Sequence, residues 1–432
     1  MINPMRVLLV IDSFEREFLA MRLVAAALEK HNVEVRLCCR QVLGMVFNRF
    51  QPHVVLLPKT HKIIELDAIH RSSVVILCQA ESFVGSLDSF KYLSAHLRKE
   101  FVDLVCCWGS FDYDFYIENK VFPAGRVFVT GHSMNESWYL PPPEKKNLSV
   151  NLVVGITSSL RAFTHKALGL NCNPFKSIIG IEEVGDSGYF LPPYHAEDWI
   201  AFEASWVRVV HQIIKENPDI QFSLRPHPLE NPVHYKAFER FPNLIVDSRG
   251  NIAEWLTTLD AMCSSYSGSM LDAYFREIPV VSIRNLIPSH ILEGIHPSIT
   301  GIPHESHFVA PNDITSLRHE LHKPWRANCD LDALGKRVFN FPDERRPSER
   351  LADTIVQNAP PIYAAKSAFE SVPESRFERL CGPFGWAPDL RLAMLQWRDF
   401  MVGTNISSAA YGRHRFLQNR KSNDIFEKIS NL

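Results

Sequence analysis

A rhythm of short apolar runs separated by segments of helical spacing constrains this chain more than any other feature of its sequence. "RVLLVID" (Arg6–Asp12) is aliphatic throughout its centre and too short for a core helix. "EFLAMRLVAAALEKHN" follows with apolar positions at helical spacing, and "VEVRLCC" (Val33–Cys39) returns to the strand pattern. "HVVLLP" (His53–Pro58), "SVVILCQ" (Ser73–Gln79), "LVCCWG" (Leu104–Gly109) and "RVFVTG" (Arg126–Gly131) repeat it. Runs that are apolar at every position belong to strands covered on both faces. The implied class is α/β, with a doubly wound parallel sheet.

"YLPPPEKKNLS" (Tyr139–Ser149) interrupts the rhythm. Consecutive prolines fit neither a sheet nor a helix interior, and the charges after them suit solvent, so this is a linker. The pattern restarts at "NLVVGITSS" (Asn151–Ser159), followed by a Gly/Pro/Asn-rich insertion from about Leu168 to Tyr194 and a long helix over about Glu197–Glu216. "IQFSL", "NLIVDS" (Asn243–Ser248), "AMCSSYS" (Ala261–Ser267) and "PVVSI" (Pro279–Ile283) then supply a second parallel sheet. The expected division is residues 1–140, residues 149–357 and a helical tail of residues 358–432. With 432 residues and 46% hydrophobic content, the chain can bury two cores of ordinary size. Ligands of such sheets bind beyond the carboxyl ends of the strands, and two hinged domains would face one another across a cleft.

A net charge of −2 gives no electrostatic case for nucleic acid as a partner. The nine cysteines include adjacent pairs, Cys38–Cys39 and Cys106–Cys107, but no C-x-x-C, and read as buried residues of a reducing compartment. The N-terminal apolar run is too short for a signal sequence, and no stretch is long enough to span a bilayer. The expected location is the cytoplasm.

Two stretches carry chemistry. "FSLRPHPLENP" (Phe222–Pro232) ends an apolar run on Arg225 and His227, set between Pro226 and Pro228. The prolines stiffen the loop, a guanidinium offers a bidentate fork, and an imidazole donates a hydrogen bond or a proton, which suits a phosphate. The same loop also reads as a capped turn with solvated charges. "MCSSYSGSMLDAY" (Met262–Tyr274) reads as strand, Ser/Gly turn and helix, so that Ser265, Ser267, Gly268 and Ser269 surround a helix N-terminus. Backbone N–H groups and hydroxyls there cradle a phosphate, although a plain N-cap serine has the same appearance. Two anion-suited loops at successive strand ends of one sheet favour a nucleotide-phosphate site.

R-P-H-P after a strand, then a serine-rich strand–turn–helix with "PVV" beyond it, resembles the donor half of GT-B glycosyltransferases of bacterial surface carbohydrate synthesis. The likeness extends to the Kdo transferases of capsule and lipopolysaccharide synthesis, the bacterial polysialyltransferases and the CDP-glycerol polymerases of teichoic acid. "PSERLADTIVQ" (Pro347–Gln357) is similar to the helix that closes this domain in surface carbohydrate proteins. The resemblance covers about Val74–Gln357 and implies a GT-B fold of two Rossmann-like domains facing a cleft. The acceptor domain would comprise residues 1–140 and the donor domain residues 149–357, and the His-Pro and serine motifs would hold the donor's phosphate.

The resemblance also implies an acidic general base after an N-terminal-domain strand. Glu81, in "VVILCQAESFVG", stands there, with a solvated loop glutamate as the other reading. It is a single acid, where the relatives show an acidic pair or an acidic–Gly pair. Asp12, in "VIDSFERE", is the rival base, and its context also reads as a helix cap. Ser158 and Ser159, in "GITSSLRAF", are either cleft contacts or an N-cap. "VTGHSMNESWY" (Val129–Tyr139) stands where relatives show G-N-P-R-F-D and matches only at Gly131.

No D-x-D follows a strand and no histidine set has ligand spacing, so neither a metal nor a cofactor is expected. Arg225, His227 and helix dipoles would take over charge neutralisation. The expected function is transfer of a sugar from a nucleotide-activated donor, such as CMP-Kdo or a related CMP-ulosonic acid, to a surface glycan or lipid-linked acceptor. His227 and Glu81 would be the catalytic residues. A CDP-glycerol-type polyol-phosphate transferase and a non-catalytic GT-B-like scaffold are the alternatives. The tail carries "DLRLAMLQWRDFMVG" (Asp389–Gly403), then Arg413, Arg415, Arg420 and Lys421. It either packs on the domains or makes peripheral contact with the anionic inner membrane.

Overall fold

The computed structural model of the chain describes residues 4–12, 14–60, 63, 65–78, 97–143, 152–158, 196–227, 230, 235, 238, 240–247, 251–265, 267–294, 307–366 and 368–372. The described residues of Met1–Leu140 and Cys329–Leu395 form one compact unit, and those of Pro141–Asn328 form a second.

In the first unit, strands and helices alternate as β1 (Arg6–Ile11), α1 (Phe14–Glu29), β2 (Glu34–Cys39), α2 (Leu43–Phe50), β3 (Val54–Leu57), α3 (Leu66–Ser72) and β4 (Val74–Cys78). β5 (Leu104–Cys107), α4 (Ser110–Glu118) and β6 (Val127–Val129) follow. The six strands pair in the order β2-β1-β3-β4-β5-β6, all parallel. Side chains two apart point to the same face of a strand. Val7, Leu9 and Ile11 therefore pack with Val24 and Leu28 of α1, while Leu8 and Val10 pack with Phe47, Leu66 and Ile69. Burial on both faces accounts for the unbroken apolar runs in the sequence.

The second unit contains β7 (Val153–Thr157), α5 (Ala196–Glu216), β8 (Gln221–Arg225), β9 (Leu244–Val246), α6 (Ile252–Leu256), β10 (Ala261–Ser264), α7 (Ser269–Tyr274) and β11 (Val280–Ser282). α8 (Ser289–Gly294) and α9 (Ile314–Leu321) complete it. Its sheet is also parallel, in the order β11-β10-β7-β8-β9. Trp206, Val210, Ile213 and Ile214 of α5 cover Val154, Ile156, Phe222 and Leu224. From β7 the chain moves outward to β8 and β9, then crosses back to β10 on the other side of β7. The strand order therefore reverses between β7 and β10, and in the first unit between β1 and β3.

The division differs from the expected boundary at residue 357. α10 (Cys329–Phe339) and α11 (Pro347–Ala364) belong to the first unit. Leu351, Ala352, Ile355 and Ala359 of α11 share a core with α1 and the first sheet, and Lys366 Nζ lies 2.8 Å from the Asp103 carboxylate just before β5. Resemblance to a closing helix identified the α11 segment but not the sheet that it covers. The insertion of about Leu168–Tyr194, the linker's charged half and the tail beyond residue 372 lie outside the described residues. No helix among the described residues is long and apolar enough to cross a membrane.

Gly109 is the point where α10 meets the first sheet. A Cβ there would lie 2.4 Å from the Arg337 carbonyl oxygen and 2.5 Å from the Val338 backbone. Its φ of −150° is open to any residue, so the requirement is space alone. Gly109→Ala is expected to cost about 2 kcal/mol, because backbone cannot yield as a side chain does. Urea denaturation should show this loss, with Gly125→Ala, where a Cβ meets nothing within 4 Å, as the silent control.

Candidate functional site

The described candidate residues of the second unit, Ser158, Arg225, His227, Ser265, Ser267, Gly268 and Ser269, lie at the carboxyl ends of β7, β8 and β10. β8 ends at Arg225, whose carbonyl accepts the Ser158 N–H at 3.0 Å in the last bond of the ladder with β7. The Arg225 guanidinium lies over the Trp255 ring of α6, 5.8 Å from its centroid. Trp255 is itself fixed by donating from Nε1 to Ser223 Oγ at 2.8 Å. Pro226 offers no N–H, so the His227 N–H is the first backbone donor beyond the strand. It donates to Glu230 Oε2 at 2.9 Å, and the Glu230 N–H returns to the His227 carbonyl at 2.8 Å.

Glu230 was not foreseen from the sequence. It is 1% exposed, and its Oε2 also accepts from Ser158 Oγ at 2.6 Å and Tyr235 Oη at 2.7 Å. Ser158 Oγ and Tyr235 Oη touch one another as well. Burial, then the neighbouring Glu230 charge, push the Tyr235 phenol well above its usual range, so it remains a proton donor. The available signal was the spacing H-x-x-E, which allows reciprocal bonds like those of a helix capping box. Ser158 is thus engaged in holding the loop, while Ser159 lies outside the described residues.

On the other side of β7, Thr157 Oγ1 and Ser264 Oγ are 2.7 Å apart. Ser265 follows β10, is 2% exposed, and its hydroxyl has no hydrogen-bond partner among the described residues. A buried hydroxyl left so costs about 1–3 kcal/mol. Ser267 Oγ lies 2.5 Å from Ser269 Oγ and accepts the Ser269 N–H at 3.2 Å, which shapes the turn, and exposed Gly268 leaves its outer side open. α7 starts at Ser269 as expected, but its six residues give a short dipole. The hydroxyls therefore matter more than the helix end.

The two loops are not at successive strand ends. β7 lies between β8 and β10, and its last residues brace both sides, Thr157 toward the serine turn and Ser158 toward the Arg225–His227 loop. The order of strands in space is what the sequence reading lacked. It also places Thr157, Ser264 and Ser265 at the reversal of strand order, the crevice where open α/β sheets bind ligands.

In the first unit, Asp12 stands at the corresponding reversal between β1 and β3. Its carboxylate pairs with Lys59 and with Arg40 Nε at 3.4 Å, and its N–H donates to Glu17 Oε2 at 2.8 Å. Two cations thus occupy the carboxylate proposed as rival base. Glu81 lies outside the described residues. The loop after β6 has buried its polar side chains: His132, Ser133, Asn135, Glu136 and Ser137 are all at most 8% exposed. The His132 ring lies against Trp108 at a 45° tilt with centroids 4.4 Å apart, and its Nδ1 accepts the Met134 N–H at 3.1 Å. Gly131, the one match to the relatives' motif, has φ +73°, which glycine adopts without strain. Among the described residues no group of three or more His, Cys, Asp or Glu side chains could hold a metal ion.

No family model matches the chain, and no curated protein matches it. Solved structures do. Methanocaldococcus jannaschii UDP-GlcNAc 2-epimerase, in complex with UDP-GlcNAc and UDP, superposes with TM-score 0.51 at 10% identity, over 82% of this chain and 100% of that one. The S. aureus MnaA–UDP structure gives 0.51 at 11%, over 84% and 99%. A variant of the wall teichoic acid polymerase TagF with CDPG gives 0.51 at 11%, over 82% and 89%. At such identity the likeness shows the fold. The fold is GT-B, with two Rossmann-like parallel sheets in one chain.

Proposed function

We propose that the chain is an enzyme acting on a nucleotide-activated donor whose phosphate lies at the carboxyl ends of β7, β8 and β10. The observation that carries this reading is the Ser265 hydroxyl, buried without a partner among the described residues at the reversal of strand order. Arg225 and His227 flank the other side of β7 and supply positive charge and a proton donor. The reaction we favour is sugar transfer from a cytidine-linked donor, with CMP-Kdo or a related CMP-ulosonic acid as the substrate class. The acceptor is a surface glycan or lipid-linked glycan, and Glu81 is the general base.

A second reading has its own support. TagF with CDPG is among the structures that share this fold, which favours transfer of a polyol phosphate from CDP-glycerol. The loops would hold the same phosphate, but the bond broken would lie between phosphorus and oxygen. In sugar transfer, by contrast, the anomeric carbon is attacked.

Calorimetry with CMP, CDP and UDP, followed by turnover assays with the corresponding activated donors, separates these readings. Binding of one nucleotide at 100 times its Kd should stabilise the protein by about 2.7 kcal/mol and raise Tm. CMP is the nucleotide released from either donor, so the turnover assays decide between them: transfer from a CMP-ulosonic acid supports the first reading, and transfer from CDP-glycerol supports the second. No binding of any of these nucleotides at millimolar concentration would sink the proposal and leave the scaffold reading.

A further inference from the structure

We infer that Glu230 is a positioning residue for the Arg225–His227 loop, its buried carboxylate fixing where that loop stands against the end of β7. The inference rests on the reading of this loop as the donor-phosphate site. Prolines fix φ at residues 226 and 228, but they say nothing about where the loop sits relative to the neighbouring strand. That relation is set by Glu230 Oε2, which gathers donors from three separate places: Ser158 Oγ immediately after β7, the His227 N–H on the loop, and Tyr235 Oη beyond it.

The bonds are charge-assisted and sheltered from water, where such bonds are strongest. Tyr235 is 0% exposed and Ser158 8%, so their hydroxyls cannot turn to solvent if the carboxylate is removed. The His227 N–H differs, because it belongs to the half-buried loop itself. Loss of its acceptor frees the backbone of the residue assigned to the phosphate. A core carboxylate that only stabilised the fold would not be bonded to the loop's own N–H.

Tyr235→Phe makes this distinction testable. It removes one donor to Glu230 and leaves the His227 bond intact, so it reports the purely structural contribution. Glu230→Gln keeps an acceptor oxygen at the same reach, whereas Glu230→Ala removes it. The measurements are amide hydrogen exchange at His227 and calorimetric affinity for the nucleotide that wild type binds best.

Glu230→Ala should speed His227 exchange by about 10- to 100-fold and weaken nucleotide binding by at least about tenfold, the worth of one hydrogen bond to a charged group. Glu230→Gln should restore both to within a few-fold, and Tyr235→Phe should lower Tm while leaving both near wild type. If Glu230→Ala does not fold, Glu230→Asp, which keeps the charge but shortens its reach by one methylene, should show the same pair of losses. Unchanged exchange in the Ala or Asp variant overturns the inference. So does faster exchange with unchanged affinity, or a loss of affinity in Tyr235→Phe equal to that of the Glu230 variant. Wild type binding no nucleotide at all would instead sink the donor-site reading. The exchange comparison would then still decide whether Glu230 anchors the loop.

Discussion

Replacing His227 with Ala is expected to lower donor-dependent turnover by a hundredfold or more while leaving the protein folded. His227 is half-buried on the loop after β8, and the loop's own bond to the buried scaffold is the main-chain one from the His227 N–H to Glu230 Oε2. Replacement by Ala keeps that main-chain bond, so urea denaturation should give a midpoint close to wild type. Withdrawal of one group that stabilises developing charge on a leaving phosphate typically costs on the order of a hundredfold. The loss should appear in kcat and in kcat/KM together if the bond to phosphate strengthens as the donor breaks down. If only KM rises, His227 contributes ground-state binding. If turnover stays within a few-fold of wild type, it has no part in the reaction.

The repeating apolar runs were enough to read the inner strands of both sheets, because strands buried on two faces are apolar along their length, whereas the edge strands β2 and β9 are partly exposed. β3, β4 and β5 are wholly buried and coincide with "HVVLLP", "SVVILCQ" and "LVCCWG" to within a residue or two. Strand order was not legible, since parallel strands of similar composition could pair in any sequence. That is why β7 was not placed between β8 and β10, and why Thr157 and Ser158 were not seen as the brace between two loops. Glu230 was missed because a glutamate between a leucine and an asparagine in a proline-rich loop looks solvated. Only the tertiary approach of Ser158 and Tyr235 buries it. Asp12 was legible as the end of β1, but its partners Arg40 and Lys59 come from the ends of β2 and β3 and depend again on strand order. The loop "GHSMNES" matches the relatives' motif only at Gly131, which gives no sign that its Glu136 is a buried acid.

Stability should fall as pH rises from about 4.5 to about 7 through the contribution of that acid, Glu136. It is 1% exposed, and its Oε1 accepts the Ser348 N–H at 2.5 Å in the first turn of α11. Oε2 is buried with no partner among the described residues. Burial is the largest influence and pushes the carboxyl from 4.5 up to about 7, with the Ser348 bonds and the Arg346 charge pulling the other way. Because the folded value lies above the unfolded one, the native state holds more protons than the unfolded state between the two. Stability from this group is therefore complete below about pH 4.5 and is lost as pH rises through about 7. The shift corresponds to about 3 kcal/mol between those limits. Glu136→Gln keeps an acceptor for Ser348 and cannot ionise, so its stability should lack this slope. It should resemble wild type near pH 5 and exceed it near pH 8. Other groups titrate in both proteins alike, so the informative quantity is the difference between the two urea-unfolding free energies at each pH. A difference that stays constant from pH 5 to pH 8 would show that Glu136 is already ionised in the folded chain, and the helix N-terminus would then be binding a buried carboxylate rather than a carboxylic acid.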